Sequence, residues 1–194
     1  MDGRHAGAAF FAYATNYLID TQHAVILDVE ATRAIRQAEV GAARTMLERT
    51  AERFGLKPQH LAADSAYGSA DNLAWLVKDK KIAPHIPVID KAERSDGTFS
   101  RADFVFDPDE DHYTCPDGKQ LVQYRRSFAV PRTGITKAGV RFYRAKQSDC
   151  QTCDLKVRCC PNTLRRRIPR NQNEDARDVA RALAGTPAFA EVGA

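Results

Sequence analysis

The chain has 194 residues, enough for one sizeable hydrophobic core, and its 43% hydrophobic and 28% charged residues are ordinary for a globular protein. The net charge of +4 is unevenly distributed, because residues 119–170 hold 14 Lys or Arg and only two acids, whereas the remainder carries a net charge of −8. No apolar run approaches the ~20 residues that are needed to cross a bilayer. Residues 1–5 do not begin the charged and then apolar sequence of a signal peptide, so we expect a cytoplasmic protein that does not enter membranes.

The first half of the chain shows alternating strand and helix patterns. Two strand-like runs between residues 10 and 32, joined by residues 21–23, predict a β-hairpin. Apolar residues (Val40, Ala43, Leu47, Thr50 or Ala51, and Phe54) then recur at helical spacing. Because Gly55 is a natural C-terminal stop, they predict a helix over about residues 38–54.

Residues 60–64 form a short apolar run that predicts a central strand. Ser69 follows at a position suited to capping a second helix, whose apolar stripe is formed by Leu73, Leu76 and Val77. Residues 82–88 predict another strand, irregular or at an edge because it contains two prolines. Beyond residue 97 come short β-like runs, a cysteine-rich stretch and a helical pattern over residues 173–185.

The segment Leu61–Ser69, with the sequence L-A-A-D-S-A-Y-G-S, ends a strand on a carboxylate just before a helix begins. Such an Asp lies at the carboxyl edge of an α/β sheet, where ligands and metals bind. In its setting the segment resembles the second-aspartate motif, Ala-Asp-x-x-Tyr-x-Ser, of bacterial insertion-sequence transposases of the DDE class. Those enzymes have an RNase H-like fold and hold two divalent metal ions with Asp, Asp and Glu.

The resemblance implies an α/β protein in three parts. These are a partial RNase H-like core with a mixed sheet over residues 1–90, a basic, β-rich insertion with a cysteine cluster over 91–170, and a helical segment over 171–194. It also implies Mg²⁺ or Mn²⁺ in the complete enzyme and DNA partners, namely the element ends and the target. The resemblance is also compatible with a homodimer of the full-length enzyme.

Asp64 is the second catalytic carboxylate by this resemblance, and the alternative is a solvent-facing Asp that caps the following turn. The family's first Asp lies on a strand upstream of the hairpin, where Asp20 is a weak substitute that is more typical of a turn. The family's Glu lies on a helix beyond the segment 175–189, and neither Glu174 nor Glu191 has its surroundings. We therefore expect a truncated, inactive fragment of a transposase.

Five cysteines, an odd number with clustered spacing, favour a reducing compartment and metal ligation over a disulfide framework. Cys150 and Cys153 form a C-x-x-C pair, Cys159-Cys160 follows, and Cys115 lies in a predicted tight turn. Cys115, Cys150, Cys153 and either Cys159 or Cys160 would suit a structural zinc ion. The alternative is a set of reduced, partly buried thiols.

Basic residues interleaved with aromatic ones predict a β-ribbon that lies on phosphates: Arg125, Arg126, Arg132, Lys137, Arg141, Arg144 and Lys146. Arg165, Arg166 and Arg167 predict an exposed linker that follows a DNA backbone. Such contacts position DNA without reading its sequence, and they weaken with salt. The alternative is a solvated basic surface, with the aromatic residues in the core.

Two functions follow from these patterns. The first is DNA transposition of an insertion sequence, in which strand cleavage and transfer proceed by two-metal phosphodiester chemistry in the complete enzyme. The second is a non-enzymatic, zinc-stabilised DNA-binding module. The chain lacks a P-loop and a GxGxxG motif, which argues against nucleotide-dependent enzymes.

Overall fold

A computed structural model describes residues 13–89, 94–123, 134–187 and 189. Three predicted DNA-contacting residues, Arg125, Arg126 and Arg132, lie outside this range. Within it, no helix combines the length and the apolar character that a membrane span requires.

The helices and strands alternate in the first half of the chain, and short strands dominate the second. The first half contains β1 (Tyr13–Asp20), β2 (Val25–Arg33), α1 (Arg36–Phe54), β3 (His60–Ala62), α2 (Ala70–Ala74) and β4 (Ala83–His85). The second half contains β5 (Val105–Asp107), β6 (His112–Thr114), β7 (Gln120–Leu121), β8 (Val140–Arg144), α3 (Gln147–Gln151), α4 (Lys156–Cys159), β9 (Arg167–Asn171) and α5 (Glu174–Ala184).

The predicted hairpin is confirmed, since β1 and β2 pair antiparallel in a two-stranded sheet. Helix α1 follows and ends at Gly55, whose left-handed backbone (φ 67°) and N–H bond to the Ala51 carbonyl close the helix as expected. Its buried face is formed by Ala42, Met46, Leu47 and Thr50. Phe54, predicted to share that face, is 60% exposed because it lies at the end of the last turn.

Strands β3 and β4 are parallel neighbours joined by α2, and Ala62 lies opposite His85. Ser69 caps α2 as predicted, because its hydroxyl accepts a bond from the Asn72 backbone N–H. A π-helical segment, Trp75–Lys80, continues α2 to the left-handed residue Lys81. Leu73 and Leu76 are fully buried, which confirms the predicted stripe.

The predicted single mixed sheet is not formed by the described strands. The described residues form four small sheets, and the β1–β2 hairpin is separate from the β3–β4 pair. Helix α1 packs against the hairpin and also contacts the 3-10 turn Ser65–Tyr67 that follows β3. Among the described strands no ladder joins the two pairs, and α1 contacts both the hairpin and the turn that follows β3.

Two groups of buried side chains form the interior. The first core joins α1, α2, β4 and α5 through residues such as Leu47, Leu76, Ile86 and Ala180. The second core joins β5 to β9 and the cysteine segment, with Tyr143 and Leu121 at its centre. Helix α5, predicted over residues 173–185, follows β9 of the second core in the chain and packs on the first core.

Candidate functional site

Asp64 is exposed two residues beyond the carboxyl end of β3. Its Oδ1 accepts a bond from the Ala66 backbone N–H (2.7 Å) and so caps the 3-10 turn Ser65–Tyr67. The predicted sheet-edge position and the alternative capping role are therefore both present in the same side chain. A carboxylate that caps a turn through one oxygen retains acceptor capacity on the other, so capping does not exclude metal binding.

Gly68 positions the loop that carries Asp64. A Cβ at this glycine would lie 1.9 Å from the Pro87 carbonyl oxygen, closer than side chains ever approach, and the Gly68 carbonyl accepts a bond from Ile89 N–H (3.0 Å). The loop after β3 is thus held directly against the segment after β4. The glycine is required here by the close approach of two backbones rather than by a left-handed conformation.

Asn72 anchors the same loop from the other side. It is buried, its side-chain N–H donates to the Tyr67 carbonyl (3.0 Å), and its Oδ1 accepts from Arg44 Nε of α1 (3.0 Å). Burial raises the pKa of the Tyr67 hydroxyl, and the carboxylates of Glu39 and Asp64 raise it further. The Tyr67 hydroxyl therefore stays protonated at neutral pH in a neighbourhood of two carboxylates.

Two histidines meet near this edge, which sequence spacing did not indicate. The His60 and His85 rings lie edge to face with centroids 5.0 Å apart, and His85 also stacks on Phe189 at 5.7 Å. Burial lowers the pKa of His85, and the neighbouring His60 lowers it further. The parallel pairing of β3 with β4 brings these residues together, and no local motif predicts that pairing.

Asp20 ends β1 and serves the hairpin turn. One of its oxygens accepts from the backbone N–H groups of Gln22 (2.9 Å) and His23 (3.2 Å), and the other lies 2.8 Å from His23 Nδ1. The side-chain bond to His23 lowers the Asp20 pKa. This is the turn role that made Asp20 a weak candidate for the first catalytic carboxylate.

Glu174 is part of a buried ion-pair cluster. It is 1% exposed at the start of α5, and its oxygens accept bonds from Arg101, Arg177 (3.0 Å) and Arg181 (2.8 Å). Burial alone would raise its pKa, but the arginine partners outweigh that effect and lower it to about 2. The arginines at i+3 and i+7 were visible in the sequence, whereas nothing local indicated Arg101.

Within the described part of the chain, no three His, Cys, Asp or Glu side chains are arranged so that they could hold a metal ion. Asp64 and Asp20 therefore do not belong to a preformed ligand group there. The residues that the structure describes supply one exposed carboxylate at the sheet edge and do not complete a two-metal site.

The five cysteines, which are all free thiols, lie around one cavity of about 20 Å³. Cys115 lies in the turn between β6 and β7, and its sulfur accepts a bond from the Lys119 backbone N–H (3.3 Å). Cys150 is on α3 and Cys153 follows that helix, while Cys159 and Cys160 are at the end of α4. Separate segments thus bring together the thiols that were predicted as zinc ligands.

The outer face of the β8–β9 pair is basic. Arg144 lies opposite Arg167 in the ladder, and the Arg167 guanidinium lies 4.4 Å from the centre of the Phe142 ring. Tyr143 and Ile168 are buried on the opposite face. The alternating pattern therefore separates a core face from an arginine-bearing face. Arg167 is exposed and Arg144 is half-buried. Three exposed basic side chains are near these strands in the sequence: Lys137, Lys146 and Arg165.

Arg166 and Arg141 differ from this group. Arg166 is only 7% exposed, and its guanidinium donates to the carbonyls of Cys159 (2.7 Å) and Phe99 (2.8 Å). It therefore holds the cysteine segment against the second core, which argues against the predicted DNA contact at this residue. Arg141 is half-buried and lies opposite Arg170, on the same face of the ladder as Tyr143.

Comparison with known proteins identifies the family. A family model described as "Transposase DDE domain" matches residues 2–175, which is most of the chain. Searches of curated proteins and of solved structures returned no match. The matched range includes Asp64 with its loop, the five cysteines and the β8–β9 pair. The chain belongs to the DDE-type transposases of bacterial insertion sequences.

Proposed function

We propose that this chain serves DNA transposition, in which Asp64 supplies one carboxylate to a divalent metal site and the β8–β9 face holds the DNA backbone. The observation that carries the proposal is the exposed Asp64 just beyond a strand's carboxyl end, within a matched transposase domain. Cleavage and joining of phosphodiesters by Mg²⁺ or Mn²⁺ would be the chemistry of the complete enzyme.

The exposure of Asp64 beyond the end of β3 supports this role. Hard cations such as Mg²⁺ choose carboxylate oxygens and keep several waters, and an exposed Asp at a sheet edge leaves space for both. In the complete enzyme a further strand would join the β1–β2 hairpin and the β3–β4 pair in one RNase H-like sheet, with residues 91–170 as an insertion and 171–194 as a returning helical segment. A single carboxylate binds Mg²⁺ weakly, so we expect no cleavage by Asp64 alone.

The DNA-binding part of the proposal rests on charge and exposure. Two arginines directly opposite one another destabilise a strand pair unless an anion or a ring offsets their repulsion. Arg144 and Arg167 have this arrangement on an outward face, and the Phe142 ring lies beneath Arg167. A phosphate backbone along this face would supply the missing negative charge.

Replacement of Asp64 by Asn tests the metal role. Asn caps turns about as well as Asp, so D64N should keep the turn and lose only the charge. We expect Mn²⁺ to broaden the NMR signals of residues around Asp64 in the wild-type chain and to leave them sharp in D64N. DNA nicking assayed in parallel with Mg²⁺ or Mn²⁺ should be absent from both chains, because one carboxylate does not complete a two-metal site.

The matched control is D79N, which removes an exposed Asp from the π-helical segment and should leave the Mn²⁺ response unchanged. Broadening that is equal in wild type and D64N would refute the metal role of Asp64. Salt-sensitive DNA binding without any Mn²⁺ response near residue 64 would instead favour a non-enzymatic, zinc-stabilised DNA-binding module.

A further inference from the structure

The cysteine cavity is a second candidate site, separate from Asp64. Five thiols from the β6–β7 turn, the α3 region and the end of α4 surround a space of about 20 Å³. A space of this size holds about one water-sized particle, so it suits a single ion and excludes an organic ligand. An iron–sulfur cluster is also too large for it, and the cysteine spacing does not match that of ferredoxins.

Backbone groups are directed at three of the sulfurs. The Lys119 N–H donates to Cys115 Sγ at 3.3 Å, within a tight turn closed by the Gly118 N–H bond to the Cys115 carbonyl (2.8 Å). The Arg166 N–H faces the Cys150 sulfur, and the Leu155 N–H faces the Cys153 sulfur. Burial nevertheless raises the pKa of the Cys150 and Cys153 thiols, and the N–H groups would bond more strongly to metal-bound thiolates than to neutral thiols.

The sulfurs also interact with each other. Cys160 contacts both Cys150 and Cys159, and Cys115 is a near neighbour of Cys153. Four of these thiols would supply the number of ligands that a tetrahedral structural site needs. The charged residues that also line the cavity are Lys119, Lys156, Arg166, Asp117 and Asp149, so the three cations exceed the acids by one and would offset little of the negative charge of four thiolates.

We propose that this cavity binds one zinc-type divalent cation through Cys115, Cys150, Cys153 and one of the adjacent Cys159 and Cys160. Binding would break four S–H bonds, form four metal–sulfur bonds and release four protons to solvent. The thiols line one cavity but do not form a finished ligand group in the described residues, so zinc binding would require their side chains to turn toward one point. The site is structural, because four protein ligands leave no open position for a reacting water.

The first experiment uses the unmodified chain, purified under reducing conditions. After addition of zinc and removal of the excess, elemental analysis should find one zinc per chain. Cobalt in place of zinc should give the charge-transfer and d–d bands of a tetrahedral tetrathiolate. Four of the five thiols should resist alkylation until a chelator is added. A chain that retains neither metal, with all five thiols reacting equally with and without chelator, would overturn the proposal.

Single serine variants then identify the ligands. C115S, C150S and C153S should each abolish the tetrathiolate cobalt spectrum, and so should one of C159S and C160S. The control S148A, an exposed residue on α3, should leave the spectrum unchanged. An unchanged spectrum in all five serine variants would contradict a thiolate site. Neither readout depends on DNA or on Asp64, so this test is independent of the transposase proposal.

Discussion

Gly68 shows how one residue sets the position of the candidate catalytic loop. Its α-carbon faces the Pro87 carbonyl so closely that no side chain fits, and its own carbonyl accepts a bond from Ile89. The motif around Asp64 thus contains a glycine for a steric reason. Asp64 is exposed, but the loop that carries it is fixed to the β4 side of the sheet edge.

The variant G68A should therefore be destabilised, because the added methyl group forces two backbone segments apart. We expect a loss of about 1–3 kcal/mol in the free energy of unfolding, the usual cost of overpacking. Urea denaturation followed by circular dichroism measures this change. Asp64 would move with the loop, so the Mn²⁺ response near residue 64 should also weaken.

The matched control is G41A on α1, where an added Cβ meets no atom within 4 Å. Alanine stabilises an exposed helix position by roughly 0.5–1 kcal/mol relative to glycine, so G41A should unfold at higher urea. If both variants changed stability in the same direction, the close approach at Gly68 would not be the cause.

At the scale of elements, the β8–β9 pair divides into two faces. Tyr143 and Ile168 face the second core, while Arg144 and Arg167 face outward and lie opposite one another. Strand alternation makes this division unavoidable once the register is set. The sequence showed only that arginines and aromatic residues are interleaved. The pairing of β8 with β9 decides which of these side chains face outward, where DNA could contact them.

Neutralising this face should reduce the salt dependence of DNA binding. In the double variant R144Q/R167Q, the slope of log affinity against log salt for a duplex of arbitrary sequence should fall by about 2, because each lost phosphate contact removes about 1. Fluorescence anisotropy at several salt concentrations measures the slope. Binding should weaken uniformly across sequences, because phosphate contacts carry no base information.

The exposed Lys57, outside the basic segment, provides a control with the same charge change per residue. K57Q should leave the slope unchanged. A slope that is identical in wild type and R144Q/R167Q, or wild-type protein that does not bind DNA, would exclude this face as a DNA contact.

At the scale of the molecule, the buried Glu174 links the parts of the chain that form the first and the second core. Glu174 starts α5, which packs on the first core through Ala176 and Ala180. It also accepts a hydrogen bond from Arg101, which lies shortly before β5 in the part of the chain that forms the second core. Removing one partner of a buried ion pair costs about 3–5 kcal/mol, because the remaining charges stay desolvated. Glu174 is therefore a structural residue that links these two parts of the chain, and its surroundings do not suit a metal ligand.

The pH dependence of stability follows from this cluster. The pKa of Glu174 is about 2 in the folded chain against an ordinary value of 4.5, so the folded state favours the ionised form. Its stabilising contribution, roughly 3 kcal/mol, is complete above about pH 4.5 and is lost as the pH falls toward 2. Thermal unfolding measured between pH 7 and 3 should show this decline.

The variant E174Q should be less stable at neutral pH and should lose that part of the pH dependence. D175N is the control, since Asp175 on the same helix pairs with Lys78 (3.0 Å) and both side chains are exposed. Exposed pairs contribute about 0–1 kcal/mol, so D175N should change stability little. An E174Q chain as stable as wild type would show that the arginines find other partners or solvent.

Local patterns predicted much of the secondary structure, because caps, stops and apolar periodicity act over a few residues. The hairpin, the end of α1 at Gly55, the Ser69 cap and helix α5 all appear where such signals predict them. The motif at Asp64 also pointed to a sheet edge and to the transposase family. These features depend on neighbours in the chain, so the amino-acid order alone contains them.

Tertiary structure decided which distant groups meet. It placed Arg166 inside, brought His60 to His85, surrounded Glu174 with arginines and drew five cysteines to one cavity. It also kept the hairpin and the β3–β4 pair in separate sheets, against the expectation of one mixed sheet. Each of these outcomes depends on packing and on hydrogen bonds between segments remote in sequence. Clustered spacing indicated the grouping of the cysteines, whereas no local pattern indicated the burial of Arg166, the pairing of His60 with His85 or the contact of Arg101 with Glu174.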